Sequence, residues 1–338
     1  MIVAILLAGF LMLSLLFNLQ QLVRSLSLGG SAVSSQRGLQ EVQLDYRHSR
    51  NKIAVIDVTG MIVGDAWDGR TYGMVSQLQD QLDRAANDPN VQAVLLRIDS
   101  PGGEVLAADT ISRAIERFQE DTQKPVVAYL GGLAASGGYY IAAPCQWIVS
   151  NELTITGSIG VIMQGYNYRG LMDKIGVRPQ IFKSGKFKDM LSGSKAEDEI
   201  LPQEREMVQN LIDETFARFK EVVRQGRASA QDRNDQTGQP LRDDWEEYAD
   251  GRILSGRQAF SVGFVDELGD VETAVQRALD LAGIPNANLV QYQRQFELGN
   301  LFRLLGETES RAVRIDLGMD TLPVEPGRLY YLLPTVVP

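Results

Sequence analysis

Val91-Gln-Ala-Val-Leu-Leu-Arg-Ile98 followed by Asp99-Ser-Pro-Gly-Gly103 is the stretch on which the fold turns. The first part reads as a buried strand and the second as the tight turn that ends it. The same pair recurs downstream, as a strand at Pro125-Val-Val-Ala-Tyr-Leu130 and a turn at Gly131-Gly-Leu-Ala-Ala-Ser136-Gly-Gly138. Ala107 to Phe118 lies between them with helical spacing. Strand, helix and strand in that order predict an α/β fold, a parallel sheet with crossover helices.

The rhythm continues outward on both sides. Ile53 to Val58 reads as a strand ending near Gly60, and Met74 to Ala86 as a helix with Val75, Leu78, Leu82 and Ala85 on one side. Ser136 to Ala143 starts another helix, Trp147 to Val149 is a strand, and Arg178 to Lys183 is expected to be one more. Glu204 to Val223 is a long amphipathic helix carrying Met207, Leu211, Phe216 and Phe219. Gln231 to Glu247 reads as a loop. Two helices follow, Ser255 to Val262 with Ser255 as N-cap and Val271 to Ala282. After Pro285 the pattern weakens.

Composition narrows the chemistry. The 338 residues are 44% hydrophobic and 22% charged, an ordinary globular balance, and the net charge of −10 argues against nucleic-acid binding. The single cysteine, Cys145, excludes an intrachain disulfide and a multi-cysteine zinc site. The single histidine, His48, sits in a polar stretch before the first strand and reads as a surface residue. A histidine-rich metal site is thereby excluded, and no metal or cofactor is expected.

The amino terminus, Ile2 to Phe17, is almost wholly apolar. With the residues after it the run approaches the ~20 needed to span a bilayer, so residues 1–24 are expected to be an uncleaved membrane anchor. Residues 25–51 read as a linker, rich in Gly, Ser and Gln over Gly29 to Gln40. Arg24 and Arg37 follow the anchor and no basic residue precedes it. Taken literally, the positive-inside rule puts the remainder of the chain in the cytoplasm.

In a parallel α/β sheet, ligands sit at the carboxyl ends of the strands. Both glycine turns belong at that edge. A serine flanked by small residues at a strand-to-helix turn is well placed as a nucleophile, and Ser136 is the candidate. The Gly137 amide can donate to an oxyanion, with Gly102 the natural second donor and Gly103 the lesser one. Serine needs a base. With His48 badly placed, carboxylates and lysines remain, and the lysines cluster at Lys183, Lys186, Lys188 and Lys195. A lysine serves when burial favours its neutral amine. Spacing alone leaves the choice among the four open.

Five motifs in order carry a resemblance: Asp99-Ser-Pro-Gly-Gly, Gly132-Leu-Ala-Ala-Ser136-Gly-Gly-Tyr-Tyr-Ile, Thr156-Gly-Ser158-Ile-Gly-Val, Lys183-Ser-Gly-Lys-Phe-Lys188-Asp, and Gly263-Phe-Val-Asp-Glu-Leu-Gly269. Together they resemble signal peptide peptidase A, the S49 serine peptidases, in the short single-domain form. The resemblance implies a Clp-protease-like (crotonase-type) fold over residues 52–284, with 285–338 as an extension. It implies a Ser–Lys dyad of Ser136 and Lys188, Ser158 holding the lysine, and Gly102 and Gly137 as oxyanion donors. It also implies homo-oligomers that degrade signal-peptide remnants and other short extended peptides. The catalytic domain is then expected on the outer side of the bacterial cytoplasmic membrane, against which the two arginines stand, with lipid met only through the single anchor. Two other classes fit the same turns: a crotonase-type acyl-CoA enzyme and an inactive membrane scaffold. The apolar tail, Leu329 to Pro338, is read either as a packed end or as a segment that folds back near a neighbouring cavity.

Overall fold

In the computed structural model, residues 39–65, 73–294 and 330–332 are described, and the compact unit begins at Gln40. The elements run β1 (Leu39–Asp45), β2 (Lys52–Thr59), α1 (Met74–Asn87), β3 (Val91–Ser100), β4 (Gly102–Glu104), α2 (Val105–Thr122), β5 (Val126–Ala135), α3 (Gly137–Ala142), β6 (Trp147–Ser150) and β7 (Ile155–Gly157). They continue with α4 (Arg169–Lys174), α5 (Pro202–Arg233), β8 (Ile253–Ser255), α6 (Gly256–Val262), β9 (Glu267–Leu268), α7 (Val271–Ala282), β10 (Asn288–Arg294) and β11 (Tyr330–Leu332).

Nine of the described strands form a sheet in the order β1-β10-β2-β3-β5-β6-β9, with β7 and β8 branching from β5, and β4 pairs with β11 in a separate two-stranded sheet. Pairing through β10, β2, β3, β5, β6 and β9 is parallel, as the strand–helix rhythm predicts. Alternation along each strand sends Ile53, Val55, Ala93, Leu95, Val127 and Val149 to one face, where Ala274, Val275, Ala278 and Leu279 of α7 cover them. Each valine, leucine and isoleucine among them contributes roughly 1.5–3 kcal/mol by leaving water. The opposite face carries α1, packed on β2 and β3, and α3, packed on β3 and β5. Capping explains two helix starts: Ser255 accepts from Gln258 N at 3.2 Å, and Asp270 from Thr273 N at 2.9 Å.

Four local expectations are corrected. Arg178 to Lys183 is irregular: among the described residues no strand pairs with it, and Ile181 and Phe182 are exposed. The long helix continues to Arg233, into the stretch read as a loop, because Arg227, Ala230 and Gln231 are buried and anchor it. Leu39–Asp45, within the stretch read as linker, is an edge strand of the sheet. Asn288–Arg294, beyond residue 284, inserts between β1 and β2, so the sheet extends past the boundary drawn from sequence. The Asn288 side chain holds that register by bonding Ser49 O and accepting from Arg47 N, both at the start of β2's approach.

The expected anchor, residues 1–24, lies outside the described residues, as does most of the linker. Among the described residues no helix is long and apolar enough to cross a membrane.

Candidate active site

Strand β5 ends at Ala135, and Ser136 follows as the turn into α3. Its pairing with β7 aligns Ala135 with Gly157, and Ser136 N donates to Gly157 O at 2.8 Å. The residue just past each strand is a serine, Ser136 after β5 and Ser158 after β7, and both have positive φ, 54° and 50°. Ser136 adopts φ 54°, ψ −117°, then hands over to α3 through the Tyr140 N to Ser136 O bond of 2.9 Å. This is a sparsely populated backbone state for a residue with a side chain, of the kind that accumulates at functional sites. Ser136 is fully buried, and among the described residues its Oγ has no hydrogen-bond partner.

The other glycine turn arrives beside it because β3 and β5 are in register at Ser100 and Ala134. Gly102 has φ +101°, and a Cβ built on it would stand 2.7 Å from Gly137 N. Only glycine permits that approach. The Gly102 amide itself donates to Ser100 Oγ at 3.1 Å. The Gly103 nitrogen lies 3.1 Å from where a Gly137 Cβ would be. The turn thus brings two glycine amides, Gly137 and Gly103, together next to the serine, while Gly102 supplies the room.

Ser158 is 3% exposed and is pinned by its amide to Arg252 O at 2.7 Å. Arg252 is fixed in turn by a two-pronged ion pair with Asp250 at 2.6 and 2.7 Å. The Arg252 hydrogen bonds hold the Asp250 carboxyl down to about 2.

The lysines separate by their partners. Lys183 Nζ bonds both oxygens of Asp189 at 2.8 Å. Lys195 is buried against Glu204 at 2.6 Å and Asp189 at 3.6 Å, and the Glu204 hydrogen bond raises its pKa, which keeps it charged. Lys186 lies over the Phe187 ring at 4.9 Å. Lys188 is exposed, and among the described residues no hydrogen bond or ion pair engages its Nζ. The structure therefore brings Ser136, Gly102, Gly137 and Ser158 together, and does not hydrogen-bond Lys188 to Ser136 within one chain. His48 is exposed, with its ring on Tyr46, as a surface residue should be. Cys145 is buried and unpaired, and burial pushes its thiol up to about 12.

Sequence reasoning missed the aromatic pocket behind the serine. Tyr140 stacks on Tyr331 at 4.8 Å, Phe219 closes on both at 4.9 and 4.6 Å, and all three rings are buried. The tail strand β11 brings Tyr331 there by pairing antiparallel with β4, Tyr331 opposite Gly103. Tyr330–Leu332 thus packs on its own chain. The signal available was two pairs of adjacent tyrosines, Tyr139-Tyr140 just after the serine and Tyr330-Tyr331 in the tail.

A cleft of about 530 Å³ lies elsewhere, between residues 163–167 and the first turns of α5, and Ser136 does not line it. Leu171, Ile175, Phe182, Met207 and Leu211 are exposed apolar side chains, with Phe182 95% exposed.

Comparison with known proteins gives the class and then the family. The model of "Peptidase family S49" matches residues 118–285. "Putative protease slr0021" of Synechocystis sp. is 39% identical over 236 residues, which cover 70% of this chain and 76% of that one. "Putative signal peptide peptidase SppA" of Enterococcus faecium is 32% identical over 259 residues, 75% of this chain and 71% of its own. "Protease 4" of Haemophilus influenzae is 31% identical over 249 residues, 74% of this chain but 38% of that longer one. The chain is a peptidase. It belongs to peptidase family S49.

Proposed function

We propose that this chain is a membrane-anchored serine endopeptidase of Clp-protease-like (crotonase-type) fold in which Ser136 is the nucleophile and Lys188 the base. The observation that carries the reading is the buried, unpartnered Ser136 hydroxyl on a strained strand-to-helix turn, flanked by convergent glycine amides. A buried hydroxyl without a partner costs roughly 1–3 kcal/mol, a penalty a fold keeps only where the group has a task.

In the proposed reaction Ser136 Oγ attacks a peptide carbonyl and its proton passes to neutral Lys188. The C–N bond breaks, the lysine returns the proton to the leaving amine, and water releases the acyl group. Gly137 N–H and Gly103 N–H hold the oxyanion; Gly103 takes the place expected of Gly102, whose amide is engaged by Ser100. Each donor contributes about 3 kcal/mol in the transition state. Ser158 positions the lysine.

Lys183 and Lys195 are committed to carboxylates, which leaves Lys188 as the candidate favoured by the motif. Its exposure in the single chain means that burial must come from another surface. A second copy of the chain is the proposed source, seated on the exposed apolar side chains around residues 171–182 and the start of α5. The same contact lets the lysine of one copy meet the serine of its neighbour. Substrates are signal-peptide remnants and other short extended peptides, in line with the name of the Enterococcus faecium relative. Residues 1–24 anchor the assembly, with the catalytic unit on the outer side of the cytoplasmic membrane.

The test is labelling with a serine-directed activity probe. Wild type should label, and Ser136→Ala and Lys188→Ala should not. Mixing Ser136→Ala with Lys188→Ala chains should restore labelling, since each supplies what the other lacks. Undiminished labelling of Ser136→Ala would overturn the reading.

A further inference from the structure

The stretch Gly263-Phe-Val-Asp-Glu-Leu-Gly269 is tied to the serine's helix, α3, by two grips. In the first, the buried Tyr139 hydroxyl donates to Phe264 O at 2.9 Å, with the two rings 5.5 Å apart. The second runs through Asp266, whose carboxylate takes a hydrogen bond from Arg227 Nη2 on α5. The other arm of the same guanidinium, Nη1, donates to Cys145 O at 3.1 Å and to Ala143 O at 3.4 Å, the carbonyls where α3 ends. Asp266 is itself fixed to β6, accepting from Ile148 N at 2.8 Å and donating its amide to Ile148 O at 2.9 Å. Beside Arg227, a Cβ on Gly226 would stand 2.5 Å from Ala143 O and 3.0 Å from Pro144 Cα, so α5 meets the end of α3 at backbone contact.

Helix α3 needs such grips. It has six residues, a length of about 9 Å, and it starts with two glycines. A helix that short does not hold itself together, so packing decides where it lies. At its start Ser136 is kept at φ 54°, ψ −117°, a state that persists only where the surroundings over-determine it. Strand β7 fixes one side of Ser136 through Gly157 O, and α3 fixes the other through the Tyr140 N to Ser136 O bond. Stability is a poor reason for the Arg227–Asp266 pair. A buried ion pair commonly does no better than well-packed apolar residues. Arg227 Nε and the nearby Gln231 Nε2 are moreover buried without a partner among the described residues, which is a further cost.

We infer that Arg227 and Asp266 are positioning residues for peptide cleavage: the guanidinium fork on Ala143 O and Cys145 O fixes the far end of α3 and so aims Ser136 and the Gly137 amide at its near end. The inference rests on the proposal that Ser136 is the nucleophile. Neither residue touches the reacting atoms, and both act through α3. The fork matters as well as the charge. A planar guanidinium bonds a carboxylate and two carbonyls at once, whereas a lysine ammonium in its place keeps the ion pair and loses the span. Tyr139 and Phe264 supply the second grip, so the motif holds α3 by its hydroxyl-bearing face and by its end.

The test uses the full chain carrying Arg227→Met and Asp266→Asn together, which leaves no charge buried alone and keeps an amide oxygen for Ile148 N. Turnover of one fluorogenic peptide is referred to the folded fraction seen by circular dichroism. kcat should fall roughly 10- to 100-fold, the cost of a small misplacement of reacting groups, with KM within about threefold of wild type. Arg227→Lys, which keeps the ion pair and loses the fork, should lower kcat about fivefold or more, and it decides the matter if the double variant does not fold. A second readout is independent of turnover. In the otherwise wild-type chain Ser136→Gly should melt above Ser136→Ala, because glycine releases the backbone strain. With α3 loosened the strain relaxes, and that difference should shrink to about half or less. A pair that only stabilises the fold leaves the difference unchanged. A kcat within about threefold of wild type, or an unchanged glycine-over-alanine difference, overturns the inference. Ser136→Ala in the otherwise wild-type chain separates the two ideas: if it keeps turnover, the nucleophile is wrong, and the melting differences still judge the grip on α3.

Discussion

Replacing Ser136 should make the protein more stable while it removes activity, and the size of the gain can be worked out. Two costs meet at this residue. Within a single chain its buried hydroxyl lacks a partner among the described residues, worth roughly 1–3 kcal/mol. Its backbone at φ 54°, ψ −117° stores roughly 1–3 kcal/mol more. Ser136→Ala removes the first and keeps the second, for an expected gain of about 1 kcal/mol. Ser136→Gly removes both and gives back about 0.5–1 kcal/mol through greater freedom of the unfolded chain. Its net gain is about 2 kcal/mol. For a unit of this size each kcal/mol moves the melting temperature by about 2–4 °C. Thermal unfolding of the full chain by circular dichroism should therefore rank glycine above alanine above serine, while peptide turnover is lost in both variants. A melting temperature for Ser136→Gly no higher than for Ser136→Ala would refute the claim that strain is stored here, and one for Ser136→Ala below wild type would refute the cost assigned to the hydroxyl.

Four further outcomes are expected. Lys188→Ala should lower kcat/KM roughly 10²–10⁴-fold, the usual span for a lost general base, with Lys186→Ala within threefold of wild type in the same peptide assay. Gly102→Ala places a Cβ 2.7 Å from Gly137 N at a φ of +101°, so it should lose turnover and about 1–2 kcal/mol or more of stability, read by urea unfolding. Arg227→Met strands the buried Asp266 carboxylate and should cost about 3–5 kcal/mol in the same measurement. The folded-state pKa of Asp250 is depressed, so its contribution is present above the unfolded value of ~3.9 and is lost as pH falls toward about 2. Asp250→Asn should flatten the pH dependence of stability between about pH 4 and 2, seen in acid unfolding.

The parallel sheet was legible because its central strands are continuous apolar runs closed by glycine turns, and the placement of Ser136 and Gly137 at its edge followed from the same signals. The edge elements were not legible. Leu39–Asp45 is exposed on both faces, so it lacks the alternation that marks a half-buried strand. Asn288–Arg294 follows Pro285 and owes its place to the parallel partner Lys52–Val55, far away in sequence. Phe182 misled in the opposite sense, since apolar residues near Arg178 read as a strand while in the single chain they face solvent. The aromatic pocket was out of reach because its rings come from three separate segments, around Tyr140, Phe219 and Tyr331, and only the folded register joins them. Which lysine stays uncommitted likewise depends on Asp189 and Glu204, whose partners no local pattern announces.

Helix α5 spans 32 residues, a rod of about 48 Å. Its first turn holds Glu204, which grips the lysine-bearing segment through Lys195. Its middle supplies Thr215 O and Phe219 to the aromatic pocket. Its last turns carry Arg227, bonded to Cys145 O just beyond the serine's helix. One stiff element thus sets three spacings at once. A shift at one end has no hinge within the rod to absorb it, so the lysine-bearing segment, the aromatic cluster and the backbone beyond the serine's helix move as one.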